Sequence, residues 1–145
     1  MGRVADILKR KVAALHTIGP EASVNDAVET MVRHGVGSLV VMDGGDMVGI
    51  FTERDVLKRV ALIGLPTHMT PVSQVMSRDV TVVQPDLTIE ECMERMTQLR
   101  VRHLPVVSGG EVVGMISIGD VVQHCLSERE VEVRHLTDYI AGRYS

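Results

Sequence analysis

Gly49-Ile-Phe-Thr-Glu-Arg-Asp55 and Gly114-Met-Ile-Ser-Ile-Gly-Asp120 are two versions of one stretch, placed 65 residues apart in the chain. At this offset the sequence aligns with itself without a gap from Thr17 to Val60, and Gly44-Gly45 meets Gly109-Gly110. A match that keeps its register over such a length indicates an internal duplication.

The segment that leads each copy lies at a different offset. Val4-Ala-Asp-Ile-Leu8 is similar to Val72-Ser-Gln-Val-Met76, which lies 68 residues further on. The first copy therefore carries three extra residues between this leading segment and its first strand.

Each copy shows the pattern strand, helix, strand, strand, helix. Ser23 and Thr88 are expected to cap the first helix of their copies, because an acidic residue follows three positions later and apolar residues then recur at helical spacing. In the first copy this helix is expected to end at Gly35 and Gly37. The Gly-Gly pairs predict hairpins, with strands at residues 38–42 and 47–52, and at 103–107 and 112–117.

The fold class expected from this pattern is α/β (α+β), with two βαββα repeats packed as a pseudo-two-fold pair. One repeat of about 60 residues could bury only a modest share of its surface, so the two repeats should form one stability unit. We expect the first repeat at residues 1–63, a linker at 64–71, the second repeat at 72–127 and a C-terminal helical tail at 128–145.

Composition narrows the classes of partner. The chain is 45% hydrophobic and 2% aromatic, with a formal net charge of -4. A nucleic-acid binder would normally show a basic patch and stacking aromatics, so we do not expect a nucleic acid as the main partner. No run of 18 apolar residues and no signal-peptide pattern is present, so we expect no membrane association and a cytoplasmic location. Cys92 and Cys125 are expected to be buried thiols.

The six histidines do not have the spacing of a metal site, so no metal is expected. Five of the six are expected to lie at the surface or in linkers: His16, His34, His68, His124 and His135.

Thr52 and Ser117 stand where a predicted strand becomes a helix, and Asp55 and Asp120 follow three residues later. Such a pair can simply cap a helix and stabilise it by about 1 kcal/mol. It can also bind a ligand, because a helix N-terminus offers backbone N–H groups to phosphate and a carboxylate can accept both hydroxyls of a ribose. The residues alone leave both interpretations open.

Each copy resembles a cystathionine-β-synthase (CBS) domain. The marks are the helix, the hairpin containing Leu104-Pro-Val-Val107, and the terminal motif of Gly49–Asp55 and Gly114–Asp120. The first copy departs from the family pattern at Val40, where proline is frequent. The resemblance implies a paired module with two clefts between the repeats, which bind adenine compounds such as AMP, ATP, NAD(H) or S-adenosyl derivatives, and it implies no catalytic residues.

The resemblance also implies which residues share a cleft, because the first strand and pre-hairpin segment of one repeat face the terminal motif of the other. The first cleft would combine Ile18, Gly37 and Ser38 with Ser117 and Asp120. The second cleft would combine Val83, Arg102 and His103 with Thr52, Arg54 and Asp55.

The second cleft would hold both arginines, whose guanidinium groups are suited to phosphate. The first cleft would receive only small or neutral groups at these positions, so we expect phosphate-rich ligands to prefer the second cleft.

The function expected is a regulatory adenine-nucleotide-binding module that senses energy or redox state and modulates a partner protein, whose identity the sequence does not give. An alternative is a structural dimerisation module without a nucleotide. A further alternative is an enzyme accessory subunit, although the chain has no P-loop and no evident pair of nucleophile and base.

The module is expected to form a homodimer, because the predicted second helices, around Val56–Val60 and Val121-Val122, are rich in valine that we expect to be exposed. Light scattering at tens of micromolar protein should give the mass of a dimer. A monomeric mass at that concentration would contradict the expectation.

Overall fold

The computed structural model describes residues 2–11 and 15–140. The first repeat contains α1, β1, α2, β2, β3 and α3, and the second contains α4, α5, β4, β5 and α6. In chain order their bounds are α1 Val4–Arg10, β1 Thr17–Ile18, α2 Val24–His34, β2 Ser38–Asp43, β3 Asp46–Thr52, α3 Glu53–Asp55, α4 Val72–Val75, α5 Ile89–Leu99, β4 His103–Ser108, β5 Glu111–Ser117 and α6 Ile118–Ile140. The predicted mixed fold of two repeats is confirmed.

Two separate sheets form, one from each repeat. β2 pairs with β1 in parallel and with β3 in antiparallel, while β4 and β5 form an antiparallel pair. In the second repeat the first strand is reduced to an isolated parallel bridge between Val83 and Val106.

Both hairpins turn at their Gly-Gly pair with positive φ, 59° and 92° at Gly44-Gly45 and 60° and 80° at Gly109-Gly110. Two-residue turns of this kind need positive φ at both positions, which glycine adopts without steric cost.

The first helix of each repeat begins as predicted. The hydroxyl of Ser23 accepts a hydrogen bond from the Asp26 amide at 3.0 Å, and that of Thr88 accepts one from the Glu91 amide at 3.2 Å. α2 ends at Gly35 in the left-handed conformation. The prediction that Gly37 also ends this helix is wrong, because Gly37 already belongs to the segment that leads into β2.

The hydrophobic core of the first repeat is completed by a helix of the second. Val72, Val75 and Met76, at α4, pack in one buried cluster with Leu39 and Phe51 of the first repeat. Ser77 continues the contact by pairing with Ile50 through two backbone hydrogen bonds of 2.9 and 2.8 Å.

This close approach explains the first glycine of the terminal motif. A Cβ at Gly49 would lie 2.7 Å from the backbone oxygen of Ser77. Any other residue at this position would push the leading segment of the second repeat away from β3.

The second repeat is completed in the same way by the first. Val4 and Ile7 of α1 lie in one buried cluster with Ile89, Leu104 and Ile116. Each leading helix thus packs on the repeat that does not contain it in sequence.

Matched backbone hydrogen bonds hold both exchanged helices. The amide of Val4 donates to Leu87 at 2.9 Å, and the amide of Val72 donates to Ala22 at 2.8 Å. Two further pairs follow the same pseudo-two-fold relation, and they are Ala5 to Pro85 with Ser73 to Pro20, and Ile89 to Gly2 with Val24 to Thr70.

Several expectations about exposure are wrong. Val60 and Val121 were expected on exposed faces, yet 1% and 0% of their surfaces are accessible, because each points into the core of its repeat. His124 was expected at the surface and is buried on α6. Cys92 is buried as expected, whereas Cys125 is only half-buried.

The helices after the two hairpins differ. In the first repeat α3 continues as a π-helical segment over Val56–Ala61 and stops. In the second repeat α6 is one helix of 23 residues, so the predicted tail continues that helix through Ile140. Residues 141–145 of the tail lie outside the described residues. Among the described residues, no helix is long and apolar enough to cross a membrane.

The exchange of leading helices predicts matched losses of stability. Val4→Ala and Val72→Ala should each lower the free energy of unfolding by about 1–3 kcal/mol, because both side chains are fully buried in the opposite repeat. Val32→Ala is the control, since this side chain is 77% exposed and the change should stay within about 0.5 kcal/mol. Urea unfolding measures all three variants. An unchanged stability in Val4→Ala would contradict the packing of α1.

Candidate functional site

A cavity of about 570 Å³ opens where α1, the segment before β1, the end of α2 and the start of α6 come together. Its lining carries several cationic or titratable side chains, one carboxylate and two aliphatic residues. The lining residues are Ile7, Arg10, Lys11, His16, His34, Val36, Asp120, Gln123, His124 and Ser127.

Asp120 connects the terminal motif to this cavity. Its carboxylate accepts a hydrogen bond from the Ser117 amide at 2.9 Å, and its own amide donates to the Ser117 hydroxyl at 3.1 Å. The motif therefore caps the start of α6 and, in the same place, presents a carboxylate to the cavity.

Lys11 forms an ion pair with that carboxylate. Its ammonium lies 2.9 Å from Asp120 Oδ2 and donates a second hydrogen bond to the Met115 oxygen at 2.8 Å. Both charged side chains are about one-fifth exposed, so the pair borders solvent. A ligand that enters the cavity can therefore reach and exchange this contact.

Asp55, the counterpart of Asp120, is placed differently. It is buried, and its carboxylate accepts hydrogen bonds from the Thr52 amide at 3.0 Å, the Thr52 hydroxyl at 3.2 Å and the Ser77 hydroxyl at 2.9 Å. The Arg59 guanidinium lies 3.6 Å away. Both carboxylate oxygens are engaged inside the protein, which fixes the start of α3 against the exchanged segment of α4.

The structure brings part of the second predicted cleft together. Arg54 donates a hydrogen bond of 2.8 Å to the oxygen of Arg100, two residues before Arg102. This bond joins the terminal motif of the first repeat to the end of α5 in the second repeat. Val83 is buried in the core of the second repeat and forms a parallel bridge with Val106.

His103 lies where the two predicted clefts meet. A Cβ at Gly37 would be 3.2 Å from its Nε2 atom, and Glu53 borders the same glycine. Burial lowers the pKa of His103, while the nearby carboxylates of Glu53 and Asp120 oppose that effect. Lys11 and Arg102 add to the lowering.

The first predicted cleft is only partly reflected in the cavity. Of its five residues, Asp120 lines the cavity, whereas Ser38 is buried in register with Thr52 on β3. The cavity wall on that side is formed by Val36, adjacent to Gly37. Ile18 is partly buried against the core of the first repeat, and Ser117 acts through the cap described above.

Arg10 and Lys11 are residues of this site that the motif comparison missed. The Asp120 cavity therefore holds two cationic side chains from outside the positions compared between the two clefts, such as Gly37 and Ser38. Arg10 ends α1 and Lys11 follows it, and α1 packs on the second repeat and so carries both to the start of α6. One feature of the sequence could have pointed to them. The offset between the two copies changes from 68 to 65 residues after the leading segment, which marks a longer connection after Arg10 in the first copy.

Among the described residues, no group of three or more His, Cys, Asp or Glu side chains is placed to hold a metal ion. The stacked rings of His16 and His34 have centroids 4.2 Å apart. The cavity lining therefore combines these two rings with Arg10, Lys11 and the Asp120 carboxylate.

The CBS domain family profile matches residues 4–62 and 72–127. The chain belongs to the CBS domain family. It is a CBS-pair module, a class that is generally regulatory, and the match points to no catalytic family.

Relatives with related sequences occur in plants and bacteria. The mitochondrial CBS domain-containing protein CBSX3 of Arabidopsis thaliana is 38% identical over 84% of this chain, and the match spans 62% of CBSX3. YhcV of Bacillus subtilis is 32% identical, with 88% of each protein covered. A solved structure from Burkholderia ambifaria, described as a candidate signal-transduction protein with CBS domains, is 41% identical with a TM-score of 0.83, covering 86% of this chain and 94% of that one.

The lowered pKa of His103 predicts a pH-dependent stability. The unfolded chain binds a proton near pH 6.5 that the folded protein resists, so stability should fall as pH drops below about 6.5. His103→Gln should show a smaller loss between pH 7.5 and 5.5, measured by urea unfolding. His68→Gln, at an exposed position, should keep the wild-type pH dependence. Equal losses in wild type and His103→Gln would contradict the assignment.

Proposed function

We propose that the protein is a regulatory module that binds an adenine nucleotide in the cavity beside Asp120. The observation that carries this proposal is the carboxylate of Asp120, held at the start of α6 and facing a cavity of about 570 Å³ lined by Arg10 and Lys11. Ligand pockets for small molecules typically span about 300–1,000 Å³.

The ribose would be recognised by Asp120. Its carboxylate can accept hydrogen bonds from both hydroxyls of a 2′,3′-diol, as acidic residues do in dinucleotide-binding folds. Among the described residues, the Asp120 carboxylate accepts hydrogen bonds from the Lys11 ammonium and the Ser117 amide, and both of them reach Oδ2. The diol would replace Lys11, whose ammonium would then be free to contact phosphate together with Arg10.

The base would lie against the aliphatic part of the cavity. Ile7 belongs to the core cluster of the second repeat and Val36 packs against that of the first, so a ligand between them would contact both halves of the pair. Ile18, Gly37 and Ser38 are proposed to shape this side of the cleft. Binding across the repeats offers a way to couple ligand occupancy to their relative position.

A second ligand position is proposed between Thr52, Arg54 and the segment of Arg102 and His103, with Val83 beneath it. Asp55 is already saturated by hydrogen bonds within the protein, so a diol there would have to displace one of them. In contrast to the preference for the second cleft that the sequence suggests, we therefore propose that this position binds adenine nucleotides more weakly than the Asp120 cavity, and that AMP, ATP and NAD(H) compete for both.

Regulation is proposed to run through protein contacts. α6 exposes apolar side chains on its surface, among them Leu126, Val133 and Leu136. Such a surface suits a second copy of the module or a regulated protein. A structural dimerisation module would share this surface but would bind no nucleotide.

A thermal-shift screen separates these two functions. A ligand that binds only the folded protein must raise the melting temperature. AMP, ADP, ATP, NAD(H) and S-adenosylmethionine should be compared, and a lack of any shift at millimolar concentrations would favour the structural alternative.

The ribose contact predicts selectivity between two matched ligands. Calorimetry should show AMP binding more tightly than 2′,3′-dideoxy-AMP by about 1.5–3 kcal/mol, the value of a hydrogen bond to a charged group. Asp120→Asn should remove most of this difference, whereas Asp79→Asn, at an exposed position, should preserve it. Equal affinities for the two ligands in the wild type would refute the ribose role of Asp120.

A further inference from the structure

Two imidazole rings stack at the edge of the Asp120 cavity. The centroids of His16 and His34 lie 4.2 Å apart, with an angle of 27° between the ring planes. His16 precedes β1, and His34 is the last residue of α2. The sequence alone did not indicate that these histidines meet, because they lie on different elements of the first repeat.

The stacked pair is poorly suited to carry two positive charges when the cavity is empty. Burial lowers the pKa of His16, and His34 and Lys11 lower it further. Arg10 adds a fixed positive charge to the same lining. An anion in the cavity would reverse this balance, because it attracts the protonated form of an imidazole.

The two rings differ in exposure and in position. His34 is exposed and ends α2, whereas His16 is half-buried and precedes β1. The C-terminus of a helix stabilises a nearby positive charge, so the end of α2 and an anion in the cavity would act on the stacked pair in the same direction.

The other groups around the cavity do not substitute for this pair. On α6, Asp120 is neutralised by Lys11. His124, also on α6, is buried with its Nε2 atom 3.3 Å from the Glu128 carboxylate. Gln123 and Ser127 are uncharged side chains.

We propose that His16 and His34 form a proton-linked subsite for phosphate groups, which takes up about one proton when an anionic ligand enters the cavity. The inference rests on the proposed function, since it assigns the phosphate end of the same ligand site. Its consequence is that the module would bind phosphate-bearing ligands more tightly as pH falls.

The test uses probes whose own charge does not change between pH 6.0 and 7.5. These are sulfate and NAD, with adenosine as a probe that has no phosphate. Calorimetry of the full chain should show that the affinity for sulfate and NAD rises as pH falls. The rise should be on the order of tenfold per pH unit at most, which is the limit for one linked proton. Titrations in buffers of different ionisation enthalpy count the proton directly.

Three variants assign the effect to the pair. His34→Gln and His16→Gln should each abolish the proton uptake and flatten the pH dependence of NAD binding. His68→Gln, an exposed histidine outside the cavity, should retain both. Circular dichroism checks that the variants are folded.

The outcomes separate this inference from the proposed function. NAD and adenosine binding without any pH dependence would overturn the histidine subsite and leave the nucleotide function in place. Proton-linked sulfate binding without binding of NAD or adenosine would support the subsite and overturn the nucleotide function. An unchanged pH dependence in both histidine variants would also overturn the subsite.

Discussion

The structure depends on the exchange of leading helices between the two repeats. A repeat of about 60 residues buries only about 60% of the surface that its unfolded chain exposes, which makes it marginally stable on its own. Val4 and Ile7 fill the core of the second repeat, and Val72 and Val75 fill that of the first. Because each core needs residues from both copies, the duplicated chain is one cooperative unit. Its two halves cannot separate without exposing both hydrophobic cores to solvent.

The same exchange builds the candidate site. α1 packs on the second repeat, so the residues that follow it reach the start of α6 instead of the sheet of their own copy. Lys11 thereby meets Asp120, and Arg10 enters the same cavity. In the other half, Ser77 lies two residues after α4, and its hydroxyl donates a hydrogen bond to Asp55. One duplicated motif thus has an exchangeable carboxylate in one copy and a fully engaged one in the other.

This asymmetry is a difference of charge and burial between equivalent positions. A surface-bordering ion pair is weak, because solvent competes with both partners. A buried carboxylate that accepts several hydrogen bonds is held firmly, because removing any of them would leave a buried charge less satisfied. The duplication therefore need not produce two equal clefts, even though the backbone of the two copies follows one plan.

The repeats, the hairpins and the capped helices could be predicted from the sequence, since those depend on local spacing. The 65-residue register, the Gly-Gly turns and the caps at Ser23 and Thr88 are all encoded within a few residues. The folded chain was needed to show which repeat each leading helix completes and which charges share a cleft. Lys11 and Asp120 are separated by most of the chain, and no local pattern records that their side chains meet. The exposure of Val60, Val121 and His124 could not be predicted either. Helical spacing shows which residues share one side of a helix, but it does not show whether another element covers that side.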